Sequence, residues 1–205
     1  MEVKGLTGGL FWFCEWLVRL AYLNLLWIAF TLIGLVVLGF FPATTAMYAI
    51  CRKWLLGDED IPIFKTFRKL YFSEFIKSNV IGFVLLLIIF LLYFDIKFFQ
   101  SFQHYFFQVL SIISFIMLFV FFVASLYIFP SIVHYKFTLI DYLKNCFIFS
   151  IGRPLHTIIM LSGVFTVCFI LIHIPGLIPL FGGSSLSLLL MCVAMRVFPK
   201  IKTEN

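Results

Sequence analysis

Charge is what this chain has least of. Asp and Glu total nine in 205 residues, charged residues of both signs make up 12%, and none lies within residues 20–40, 80–94, 106–129 or 157–174. Uninterrupted apolar stretches of this length exclude a soluble globular fold, whose helices need a polar face, and call for hydrocarbon as the surrounding medium. At about 1.5 Å per helical residue the first stretch alone matches a bilayer core ~30 Å thick. The same scarcity takes away the mid-membrane carboxylates and histidines on which proton relays and ion-coupled carriers depend.

Other absences narrow the chemistry further. The five cysteines, Cys14, Cys51, Cys146, Cys168 and Cys192, are odd in number and show no C-x-x-C spacing, so neither a zinc site nor a disulfide framework is signalled and five free thiols are expected. The histidines, His104, His134, His156 and His173, are scattered, with no His-x-x-x-His pair. There is no G-x-S-x-G, no P-loop and no G-x-G-x-x-G. Three consecutive carboxylates, Asp58 to Asp60, cannot converge on one ion. No catalytic residue, metal site or cofactor is predicted, and the expectation is a non-catalytic protein. A removable leader is not expected either, because the first apolar run ends in bulky Gly39-Phe40-Phe41-Pro42 without a small-residue cleavage site.

What the chain does have is 63% hydrophobic residues, 29 Phe and a mean hydropathy of +1.14. The fold class read from this is all-α: one integral membrane domain over residues 1–205, a polytopic helix bundle. The net charge of +6 would suggest nucleic acid in a soluble protein, but here the 15 Lys and Arg residues sit in connections, where membrane topology is the usual cause and no nucleic-acid partner is expected. They fall as Lys4 and Arg19; Arg52, Lys53, Lys65, Arg68, Lys69 and Lys77; Lys97; Lys136, Lys144 and Arg153; and Arg196, Lys200 and Lys202. If 20–40 crossed alone, Lys4 and Arg19 would lie opposite the next six. An outer turn at Gly39 to Pro42, with 42–54 returning as a short helix and Pro42 in its first turn, leaves Lys97 as the single outer cation.

Six helices follow, at about 20–40, 42–54, 79–94, 106–129, 155–174 and 180–197, with both termini cytoplasmic. At roughly 20 Å the second is short enough to half-enter the bilayer, packed through Ala43, Thr45, Ala46 and Ala49. Residues 63–77 form an amphipathic cytoplasmic helix with Phe64, Phe67, Tyr71 and Phe75 on one face and Lys65, Arg68 and Lys69 on the next, the acidic triplet favouring its N-terminus. A second such segment covers 131–150, with Thr138 and Asp141 in a cap-like pair. Phe41-Pro42 and Phe129-Pro130 open similar halves, a weak internal repeat.

Asn24 is the costliest polar group at span depth and is expected to bond a neighbouring helix. Glu15 and Arg19, four apart among Trp12, Trp16 and Tyr22, read as an interfacial anchor. With Pro42, Arg52, Lys53, Lys65, Arg68 and Lys69 they form the candidate structural or partner contacts.

The run Cys14-Glu-Trp-Leu-Val-Arg-Leu-Ala-Tyr-Leu-Asn-Leu-Leu-Trp27, followed by Gly39-Phe-Phe-Pro-Ala-Thr44, Arg52-Lys-Trp54, Asp60-Ile-Pro-Ile-Phe-Lys-Thr-Phe67 and Glu74-Phe-Ile-Lys-Ser-Asn79, resembles the YesL-like family of small bacterial membrane proteins. The resemblance implies a plasma-membrane protein of a Gram-positive bacterium, encoded beside sugar-binding-protein-dependent uptake systems and polysaccharide-degrading enzymes. It supplies no catalytic residues. The expected function is accessory: association with a carbohydrate (oligosaccharide) uptake system, with permease or ATPase subunits as partners and the lipid bilayer as surroundings. The alternatives are a small solute transporter or channel, suggested by the Gly/Pro-interrupted short helices, and a membrane-bound regulator or assembly factor.

Overall fold

The computed structural model describes residues 6–102 and 104–198. They form α1 (Leu6–Ile33), α2 (Val37–Leu55), α3 (Ile63–Ser73), α4 (Phe75–Gln100), α5 (Tyr105–Ser125), α6 (Ile128–His134), α7 (Leu139–Gly152), α8 (Pro154–His173), a 3-10 turn (Pro175–Leu177) and α9 (Ile178–Val197), with no strand among the described residues. Three helical hairpins organise them, α1 with α2, α4 with α5 and α8 with α9. By length and composition Phe11–Ile33, Phe75–Gln100, Tyr105–His134, Pro154–His173 and Pro175–Val197 are long and apolar enough to cross a membrane. Backbone polar groups in hydrocarbon must be satisfied within the segment, which is why such a sequence becomes helix throughout.

The remaining long helix, α2, is the centre. It packs against α1, α3, α4, α6 and α9 and buries Ala43, Ala46, Met47, Ile50 and Cys51 almost completely. Beyond its exposed first turn protein covers most of it, so it tolerates Thr44 and Thr45 in mid-helix, with Arg52 and Lys53 half-buried in its last turn.

The chain turns earlier than its Gly and Pro residues suggest. The reversal lies at residues 34–36, not at Gly39 to Pro42, and α2 is a helix of 19 residues, about 28 Å long, instead of a half-helix starting at Pro42. Leu35 (φ 56°) and Val36 (φ 65°) take positive φ, and the Val37 amide donates to the Leu35 carbonyl at 2.8 Å, closing a γ-turn of the strained hand around a β-branched residue. Gly39 serves a different end. A Cβ there would meet the Thr31 carbonyl oxygen at 2.4 Å and the Gly34 Cα at 2.9 Å, so its missing side chain lets the two helix backbones touch.

Pro42 consequently sits inside α2, where it cannot donate to the Leu38 carbonyl. The side chain of Asn79 on α4 does so instead, Nδ2 donating to Leu38 O at 3.0 Å and to Phe75 O at 2.9 Å. One turn away, Ser78 Oγ donates to Thr45 Oγ1 at 2.8 Å. A helix-breaking residue is thus repaired by a neighbouring helix.

Several other boundaries differ from the sequence reading. The first helix starts at Leu6 rather than near residue 20, placing Glu15 and Arg19 within it. The segment expected at 63–77 breaks at Glu74, and α3 is not a free interfacial helix: Phe67 and Tyr71 pack on Phe30 of α1 at ring separations of 5.1 and 5.0 Å. The segment expected at 131–150 is split by residues 135–138 into α6 and α7. Thr138 caps α7, accepting from the Asp141 amide. Lys4, Lys200 and Lys202, part of the charge count, lie outside the described residues.

Candidate functional site

Arg19 is the hub of one polar cluster. Its guanidinium reaches Glu15 at 2.6 Å, Glu59 at 3.1 Å and Asp60 at 3.4 Å, and it lies 5.8 Å over the Trp16 ring, which meets Trp54 edge-on. Glu59 and Asp60 of the acidic triplet thus clamp the α2–α3 connection to α1; α3 itself has no acidic residue in its first turn. Because Glu59 and Asp60 return to the level of Arg19, α1 and α2 enter and leave at the same end of the bundle.

Asn24, 1% exposed, joins α1 to α9. Its Nδ2 donates to the Pro179 carbonyl at 2.8 Å, while the amides of Gly183 and Ser184 donate to its Oδ1 at 2.9 and 3.0 Å. Pro179 O and Gly183 N are an i, i+4 pair, so one carboxamide serves both sides of a single rung of the helix. Gly183 permits this approach, since a Cβ there would meet Asn24 Oδ1 and Met47 Cε at 3.1 Å each.

A cleft of about 580 Å³ opens among α1, α2, α5, α6, α8 and α9, walled by Trp27, Phe40, Met47, Phe129, Leu171 and Leu190 among others. Three of its polar side chains are already committed: Trp27 Nε1 donates to Thr44 Oγ1 (3.1 Å), Thr44 to Phe40 O (2.7 Å) and Ser125 to Phe122 O (2.6 Å). Such a wall suits hydrocarbon far better than a sugar.

A second cavity, about 280 Å³, carries charged side chains on a wall shared with Ala49, Leu70, Ile132 and Val133. It lies where α2, the α3–α4 junction and the end of α6 meet, and Thr45, Arg52, Glu74, Lys77, His134 and Lys136 line it. Arg52 Nε donates to His134 Nδ1 at 3.4 Å. Lys77 Nζ donates to Tyr142 Oη at 2.8 Å, and that hydroxyl donates on to the Tyr135 carbonyl at 2.6 Å. Nearby on α7, burial pushes the Cys146 thiol up to about 12, with the Ser131 hydroxyl at 3.8 Å pulling the other way.

The structure therefore distributes the residues singled out in the sequence. Glu15 and Arg19 share the clamp, Asn24 forms the α1–α9 link, Pro42 is paired with Asn79, and Arg52 faces the second cavity. Lys53 is half-buried in the last turn of α2, and Lys65, Arg68 and Lys69 are exposed on α3; none of these four belongs to the cavity wall. The residues that sequence reasoning missed are Asn79, Glu74, Lys77, His134 and Lys136. For Asn79 a signal existed: a helix-interior proline strands a carbonyl that some donor must meet.

Helices apolar outward, with Asn24, Ser78 and Asn79 bonded from helix to helix inside, define a multi-pass helical membrane protein. The chain belongs to an uncharacterised family of such proteins. The family model described as "Protein of unknown function, DUF624" matches residues 20–96. The chain is 37% identical to "Uncharacterized protein YteU" of Bacillus subtilis (strain 168) over 205 residues, covering 100% of this chain and 92% of that one. It is 36% identical to "Uncharacterized protein YesV" of the same organism over 199 residues (97% and 96% of the two chains). It is also 36% identical to "Uncharacterized protein YesL" over 200 residues (97% and 93%). No solved structure matches it.

Proposed function

We propose that this is a non-catalytic accessory protein of a bacterial carbohydrate uptake system, seated in the plasma membrane with both ends and the Arg52, Lys53, Lys65, Arg68, Lys69 and Lys77 face toward the cytoplasm. The observation that carries this reading is how the buried polar side chains are used. Asn24, Thr45, Ser78, Asn79, Tyr127 and Thr157 bond to other helices or helix ends, a scaffold's use of polar groups rather than a permeation path's. The exposed basic face of α3, with Lys65, Arg68 and Lys69, suits a protein partner at the cytoplasmic surface. The link to sugar uptake comes from the family resemblance alone.

Mild-detergent purification of the tagged protein from its native membrane tests this, with permease or ATPase subunits expected in the eluate. Reproducible recovery of the protein without them overturns it. The rival reading, a transporter or channel, draws on the 580 Å³ cleft beside the Pro- and Gly-rich start of α9. Flux of oligosaccharides or small ions into liposomes holding only the purified protein would establish that rival; no flux retires it.

A further inference from the structure

We propose that the second cavity, between α2, the α3–α4 junction and α6, is a binding site for a phosphate ester that also carries hydroxyl groups. The proposal stands independently of the uptake reading. It starts from unmatched charge. Among the described residues Arg52 has one hydrogen bond, from Nε to His134 Nδ1, and neither Arg52 nor Lys136 has a carboxylate within ion-pair distance. The guanidinium's terminal nitrogens, the part best shaped for two oxygens of one phosphoryl group, are uncommitted.

His134 adds a third donor. Because its Nδ1 accepts from Arg52, the ring proton resides on Nε2, and that atom is buried without a partner. A buried, unanswered N–H costs free energy that a ligand oxygen would recover. The same cavity is lined by one acceptor: Glu74 Oε2 is buried with no hydrogen bond, its ion-pair partner Lys77 stands 3.9 Å away and is itself bonded to Tyr142, and the rest of the carboxylate is partly exposed.

This pairing of needs selects the ligand. A bare anion would answer Arg52, Lys136 and His134 but face the Glu74 carboxylate with nothing to give it. A neutral sugar would answer Glu74 and leave the cations unmatched. A phosphate ester bearing hydroxyls meets both, its phosphoryl oxygens on the cationic wall and a hydroxyl donating to Glu74. At about 280 Å³ the space falls just under the usual range for drug-sized ligands, which suits a small polyol phosphate or a head group but not lipid tails. Two sources share this chemistry: a soluble sugar or glycerol phosphate, and the phosphoglycerol head of a membrane lipid.

The full chain in phosphatidylcholine nanodiscs is titrated calorimetrically with glycerol 3-phosphate, glucose 6-phosphate, inorganic phosphate and glucose. A second preparation with added phosphatidylglycerol is analysed by native mass spectrometry. The expected result is saturable binding of a phosphate ester in the first arm, assigning a soluble ligand, or retention of phosphatidylglycerol over phosphatidylcholine in the second, assigning a lipid head. Glucose should not bind. Arg52→Gln and Lys136→Gln should each weaken binding at least tenfold, and Glu74→Gln should bring the ester down to the affinity of inorganic phosphate. Lys136 is exposed, so its variant folds and decides the matter even where Arg52→Gln does not. Failure of every phosphate probe together with no preference for phosphatidylglycerol overturns the proposal, as does binding that Lys136→Gln leaves unchanged.

Discussion

Asn79 is held to exist, in physical terms, because Pro42 does, and a double-mutant cycle can test that dependence. Leu38 O has lost its ordinary i+4 donor to the proline ring and receives Asn79 Nδ2 at 3.0 Å, at a site where Asn79 is 7% exposed. Asn79→Ala should strand that carbonyl. A buried unsatisfied group costs about 1–3 kcal/mol, and helix–helix bonds in bilayers average ~0.6 with an upper end of ~1.7, so a loss of about 1.5 kcal/mol is expected. In a Pro42→Ala background the new amide can reach Leu38 O along the helix, and the same Asn79→Ala change should cost about 0.5 kcal/mol, a coupling of roughly 1 kcal/mol. The assay is reversible unfolding in mixed dodecyl maltoside and SDS micelles, followed by far-UV circular dichroism. Ser78→Ala, which touches Thr45 instead, serves as a nearby control whose cost should not depend on residue 42. Equal cost of Asn79→Ala in both backgrounds would refute the reasoning.

Three further outcomes are expected. Val36→Gly relieves a β-branched residue at φ 65° and, after the entropy glycine loses on folding, should stabilise by about 1 kcal/mol. That is a rise of roughly 2–4 °C in thermal midpoint in detergent; a lower midpoint would show that the turn is unstrained. Asn24→Leu removes three bonds to α9 and should cost about 2 kcal/mol in the same unfolding assay, and a change under ~0.5 kcal/mol would mean that α9 satisfies its own end. Maleimide should modify exposed Cys14 in the folded protein but reach Cys51 and Cys146 only on unfolding. With the Cys146 thiol up at about 12, raising the pH from 7 to 9 should leave it silent; labelling of Cys146 at the rate of Cys14 by mass spectrometry would contradict its burial.

Helix content, the long spans and the return of the second helix were legible in the sequence because they rest on local signals: unbroken apolar runs and the distribution of Lys and Arg. The turn was not. Gly39 and Pro42 look like punctuation, yet Gly39 is spent on contact with the α1 backbone and Pro42 is mended by a side chain 37 positions later in a different helix (Asn79 to Pro42). The true reversal uses Leu35 and Val36, residue types that carry no turn signal. The clamp was half legible: the Glu15–Arg19 pair follows from helical spacing, whereas its completion by Glu59 and Asp60 needs the hairpin to be closed first. The second cavity was invisible for the same reason, since Arg52, Glu74, Lys77, His134 and Lys136 come from segments whose mutual packing no local pattern encodes.

The enclosure of α2 also constrains how the molecule is made. This helix leaves the ribosome long before α6 and α9, which later cover it, and it carries an orphan carbonyl and two basic residues into the insertion machinery without those neighbours. It must be sheltered against α1 until α4 supplies Asn79 and until α9 closes on Asn24. A nascent chain truncated before α9 would hold its central helix uncovered, which makes such fragments natural targets for membrane quality-control proteases.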